Sequence, residues 1–146
     1  MFKIVLLSFF TFVSIYPKMM TENYSVEHGI IGEIAKVHAT MDIKKNNYII
    51  DAKLSIVGAI ANKVTENLKE RHVSKGHIVK GRYITDMYQM IKSYGKINST
   101  TIYKTNHKKK TVTRQYKKWK NGKLIKDAKV ELKYYASNEL TNIFWV

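Results

Sequence analysis

Glu66, Glu70 and His72 are residues whose types and spacing suggest chemistry. Alternate residues of an extended chain point to one face, so a strand would carry all three side by side. Two carboxylates on one face can divide general-acid and general-base work, and Glu70 with His72 could serve a hydrolase. Lys63, Lys69 and Arg71 stand beside them, and ion pairing explains the same acids more simply. Hydrolysis through Glu70 and His72 therefore ranks third of three functional readings. His28, His38, His77 and His107 are scattered, with no His-x-x-x-His pair and no Cys anywhere. A metal site needs more ligands than this spacing brings together, so the histidines read as surface or turn residues. No nucleophile elbow, P-loop or dinucleotide fingerprint is present. No catalytic residues, metal or cofactor are expected.

Lysine is the next conspicuous type. The chain has 26 Lys+Arg against 11 Asp+Glu, a net charge of +15. Between Lys104 and Lys133 stand twelve basic residues and two acids, Asp127 and Glu131, interleaved with Tyr103, Tyr116, Trp119, Tyr134 and Tyr135. Charge for phosphate with rings for stacking is what a nucleic-acid module needs. Yet only Arg71, Arg82 and Arg114 are arginines, and bidentate readout favours Arg. Specific nucleic-acid binding is not expected. A lysine field does suffice for an anionic polysaccharide or lipid surface. Lys108, Lys109, Lys110, Lys117, Lys118 and Lys120 are the residues for such binding, the second functional reading.

A third feature is apolar. Ala35, Val37, Ala39, Met41 and Ile43 alternate with Lys36, His38, Thr40 and Asp42; Tyr48, Ile50, Ala52, Leu54 and Ile56 alternate likewise. Alternation of this kind marks half-buried strands, and the polar Lys44–Asn47 cluster between them marks a hairpin. The shared apolar face is either ordinary core or a concave surface for a lipid-like ligand. Val37, Met41, Ile50, Leu54 and Ile56 are the expected lining, which is the first functional reading.

These residues need elements to position them. Segments 22–28, 35–43 and 48–56 read as strands. Gly58 to Val64 reads as one or two helical turns, and Thr65 to Ser74 as a strand ended by a Lys75-Gly76 turn. Extended segments follow at 77–79, 83–93, 99–106 and 111–120. Asn121-Gly122 is a strong hairpin signal, since a type I′ turn needs positive φ at both centre positions, and 124–135 is the return strand. Ser137 would cap a short terminal helix. Many short strands with Gly and Asn turns predict a mainly β fold: a curved antiparallel sheet or partly open half-barrel with a short covering helix.

Residues 1–20 read as an export signal or an uncleaved signal anchor. Lys3 precedes the apolar run Ile4 to Tyr16, shorter than the roughly 20 residues of a membrane-spanning helix. Four of the five Phe lie here, at 2, 9, 10 and 12. The rest, 21–146, is one domain's worth of chain. The absence of Cys excludes a disulfide framework and a lipidated anchor, and 45% apolar content excludes a chain disordered throughout.

Tyr24-x-Val26-x-x-Gly29-Ile30-x-Gly32 and Lys69-Glu70-Arg71-His72-Val73-Ser74-x-Gly76 are followed by Gly81 and Tyr88. Then come Tyr103-x-Thr105-Asn106-His107-x-x-Lys110-x-Val112 and Tyr134-Tyr135-Ala136-Ser137-Asn138-Glu139-Leu140. This order, from about residue 22 to the end, resembles the exported bacterial family of unknown function DUF3108. The resemblance implies a periplasmic or envelope β protein whose shape is similar to lipoprotein-carrier half-barrels, with a lipid or an envelope protein as partner. Asn106 and Asn138 stand where the family usually has Asp. The family also usually continues with further strands, so the apolar Phe144-Trp145-Val146 end suggests a shortened chain.

Overall fold

A computed structural model describes residues 18–29 and 32–132. Among these residues eight strands form one antiparallel sheet in simple sequence order: β1 (Lys18–His28), β2 (Gly32–Lys44), β3 (Asn47–Ile56), β4 (Lys69–Val79), β5 (Arg82–Tyr94), β6 (Ile97–Asn106), β7 (Thr111–Lys120) and β8 (Lys123–Leu132). The sheet is open, with β1 and β8 as its edges. One helix, α1 (Ala59–Thr65), joins β3 to β4. The expected mainly β, open antiparallel architecture with a short helix is what the chain forms. The apolar N-terminal run and the Ser137 helix lie outside the described residues.

The alternating segments become strands because each places its apolar parity on one side. In the β2–β3 ladder Ala35 opposes Ile56, Val37 opposes Leu54, Ala39 opposes Ala52 and Met41 opposes Ile50. Met41, Tyr48 and Ile50 are buried together, with Met20, Ile43, Ile78 and Tyr83 packed against them. Each such side chain removed from water contributes roughly 1.5–3 kcal/mol. The Tyr48 and Tyr83 rings meet edge-on at 5.1 Å, a favoured aromatic geometry. Asn121 and Gly122 both have positive φ, 52° and 76°, which gives the twisted two-residue turn its hand. The edges carry polar and charged side chains, among them Glu22 and Glu27 on β1 and Lys123, Lys126 and Lys129 on β8, which discourage pairing with another chain.

Two local expectations are corrected. Lys75-Gly76 is no turn; β4 runs through it and the register with β5 slips there by one residue, a β-bulge. The reversal comes at Lys80 and Gly81, both with positive φ. A Cβ on Gly76 would collide with the Ile84 carbonyl oxygen and lie 2.8 Å from the Tyr48 ring, so Gly76 serves close approach within the sheet. Glu66 is not on the strand: it is the left-handed C-cap of α1, at φ 55°. The Glu66–Glu70 carboxylate pair therefore does not share a strand face.

Candidate functional site

Strand register extends the core face of β2 and β3 across the whole sheet in continuous rows. One row runs Tyr24, Val37, Leu54, Glu70, Lys92, Ser99, Lys118, Lys126 from β1 to β8. The next runs Glu22, Ala39, Ala52, His72, Met90, Thr101, Tyr116, Ala128, and a third Met20, Met41, Ile50, Ser74, Tyr88, Tyr103, Arg114, Val130. Each row is mostly apolar through β3 and largely polar from β4 to β7. The expected lining residues Val37, Met41, Ile50, Leu54 and Ile56 do share one face; Met41 and Ile50 are buried, while Val37, Leu54 and Ile56 are half-buried.

Where the rows turn polar, the side chains are bonded to one another. The Nε2 of His72 lies 3.2 Å from Oε2 of Glu70, and its Nδ1 lies 2.7 Å from the Tyr88 hydroxyl. Lys92 Nζ sits 2.8 Å from the other Glu70 oxygen. Burial alone would push the Glu70 carboxyl up. The hydrogen bonds and charges of Lys92 and His72 outweigh it, and the carboxyl lies below its ordinary value. Glu70 and His72 thus meet as their parity implied, but Glu70 is held by a cation and a ring as a settled carboxylate.

Beyond this network the rows carry rings and cations. Tyr88 and Tyr103 lie 6.1 Å apart, tilted. Tyr116 is flanked by Arg114 at 5.8 Å and Lys126 at 5.7 Å, within cation–π range. Small buried residues, Ser74, Ser99 and Thr101, lie between these longer side chains. On the three rows Glu70 is the one acid from β4 to β8, against Lys92, Lys118, Lys126 and Arg114. At the other end, Ile34, Ile56, Ile60, Ala61 and Val64 line an apolar cleft of about 280 Å³ beside α1. Ile60 and Val64 are largely exposed there.

The six lysines named for an anionic surface do not form one patch. Lys108, Lys109 and Lys110 are exposed in the β6–β7 turn. Lys118 lies on the rows just described, while Lys117 points to the opposite face, 3.1 Å from Asp127. Lys120 ends β7. Two of the scattered histidines are not separate: His77 and His107 both meet Asp86, each at 2.9 Å. Parity along single strands could find Glu70 with His72. Lys92, Arg114 and the His77–Asp86–His107 cluster need the register of four strands.

No protein-family model, no characterised protein and no solved structure matches this chain.

Proposed function

We propose that the protein is an exported, non-enzymatic binder of an anionic amphiphile. Its apolar tail lies along Val37, Leu54 and Ile56 toward the α1 cleft, and its head meets Lys92, Lys118 and Arg114. The observation that carries this is the change of chemistry along shared rows: one face, apolar through β3, becomes tyrosine-rich and cationic from β4 onward. Lys92 lies two strand spacings, roughly 10 Å, from Leu54, so one molecule can touch both. Glu70 tethers Lys92 and keeps its ammonium on that face. Such sites are commonly apolar, with few placed polar groups. Export rests on Lys3 and the apolar run behind it, and a DUF3108-like envelope protein fits the same role.

Native mass spectrometry of the full chain from an envelope fraction, followed by lipid extraction, tests this directly. Displacement of a fluorescent long-chain fatty acid provides the quantitative readout. The expected result is a co-purified acyl chain, with fatty-acid binding weakened about tenfold by Lys92→Met, the loss of one charged contact. A ligand-free chain that takes up no fatty acid overturns the proposal. The polymer reading predicts a different result: heparin binding that falls steeply with salt and disappears when Lys108, Lys109 and Lys110 are replaced by Ala.

A further inference from the structure

We propose that His77, Asp86 and His107 form a binding site for a divalent transition-metal ion, separate from the amphiphile face. His77 Nδ1 is 2.9 Å from Asp86 Oδ2, and His107 Nε2 is 2.9 Å from Asp86 Oδ1. The two imidazoles stand nearly perpendicular at 5.6 Å. The three ligand atoms lie within 4.8 Å of one another. Bonds of 2.0–2.1 Å to a tetrahedral ion hold ligand atoms roughly 3.3 Å apart. A bound ion therefore requires the ligand atoms, now within 4.8 Å of one another, to settle at that common separation, an adjustment that rotation of these partly exposed side chains supplies.

The fold builds this cluster from three separate places. The bulge at Lys75/Gly76 leaves Asp86 without a ladder partner, since Lys75 pairs with Met87 and Gly76 with Thr85. Bulges re-aim side chains in this way and recur beside functional sites. His77 follows the bulge directly on β4. The β5–β6 ladder ends at Met87 and Lys104, so His107 reaches Asp86 from the β6–β7 turn. In that turn the Asn106 side-chain oxygen accepts the Lys109 backbone N–H at 3.0 Å.

Two imidazole nitrogens and one carboxylate oxygen suit Zn²⁺, Ni²⁺, Co²⁺ or Fe²⁺, whereas Ca²⁺ and Mg²⁺ prefer oxygen alone. All three residues are partly open to solvent, with side-chain exposures of 28–47%, so water or an anion can complete the coordination. Lys108, Lys109 and Lys110 oppose a cation, but they are exposed, and salt screens exposed charges over about 8 Å at physiological ionic strength.

Titration calorimetry of the chelator-treated full chain with Zn²⁺ alone tests the site. One Zn²⁺ should bind with micromolar affinity, Mg²⁺ should not compete, and Asp86→Asn and His107→Ala should each weaken binding at least tenfold. His38→Ala, away from the cluster, should leave it unchanged. Asp86→Asn nearly keeps the side chain's shape, and far-UV circular dichroism checks that each variant folds. Absence of Zn²⁺ binding to the wild-type chain overturns the proposal, as does wild-type affinity in folded Asp86→Asn.

Discussion

Strands β1–β3 and strands β4–β7 carry the same rows of one face and fill them differently. In the first region Met41, Tyr48 and Ile50 exclude water and hold one another chiefly by packing, with the Tyr48 hydroxyl reaching Thr85 on β5. In the second, Ser74, Ser99 and Thr101 are just as buried, but their larger neighbours are tied by directed bonds: Glu70 to Lys92, Glu70 to His72, His72 to Tyr88. Contact packing tolerates no lost volume. A bonded network tolerates a lost ring better than a lost partner, because an unpaired buried polar group is costly. The first region should therefore set stability, and the second should set what binds.

Tyr48→Ala should give the largest effect. Tyr48 is 1% exposed, its ring packs on Tyr83, and its hydroxyl lies 3.2 Å from Thr85 Oγ1. Aromatic-to-Ala changes in a core cost about 3–5 kcal/mol. Urea denaturation should show a loss in that range, whereas Tyr103→Ala, half-buried in the polar region, should lose about half as much. Equal losses would erase the distinction between the regions.

Gly76→Ala probes the boundary between them. Its added methyl meets the Ile84 carbonyl and the Tyr48 ring, so it strains the bulge and the core together. Overpacking of this kind costs about 1–3 kcal/mol. Amide NMR shifts should concentrate at Thr85 to Met87, where the register slips; a stability loss without those shifts would place the strain elsewhere.

The apolar region was legible in the sequence because a two-residue period survives without knowledge of neighbours. The hairpin of 35–43 and 48–56 needs only its own alternation and a polar turn, and Asn121-Gly122 needs only its backbone preference. The polar region is a product of pairing. Lys75-Gly76 reads locally as a turn, yet Gly76 is there because a backbone and a ring press on it. Glu66 carries the same parity as Glu70, but the chain leaves α1 through a left-handed residue there, and parity does not pass through a helix. His77, Asp86 and His107 are spread over 31 positions (numbers 77 to 107), and only the bulged β4–β5 ladder together with the β6–β7 turn brings them together.

Glu70→Gln should have an intermediate effect and a pH signature. Its carboxyl lies below the ordinary value when folded. The folded state therefore binds that proton less readily than the unfolded chain. The resulting stability is fully present above the unfolded value, near 4.5, and is lost as pH falls through the lower folded value. Glu70→Gln should cost about 1–2 kcal/mol at pH 7 and markedly less at pH 3, read from urea midpoints. A cost independent of pH would mean that shape and not charge holds Lys92 and His72.

Asp51→Asn should have the smallest effect, and it tests whether the face or merely the ion pair matters. Asp51 and Arg71 bridge the same β3–β4 seam as Leu54 and Glu70, but on the opposite face, with Arg71 Nη2 2.6 Å from Asp51 Oδ2. The Arg71 hydrogen bond holds the Asp51 carboxyl below its ordinary value, so its contribution has the same sign and is likewise lost on acidification. Arg71 is 48% exposed, however, and solvent competes for both partners. Pairs of this kind are worth about 0.2–1 kcal/mol. Asp51→Asn should therefore move the urea midpoint less than Glu70→Gln and leave fatty-acid binding unchanged. If the two substitutions cost the same and both spare binding, the Glu70 network is only another cross-strand ion pair, and the difference between the two regions is confined to packing.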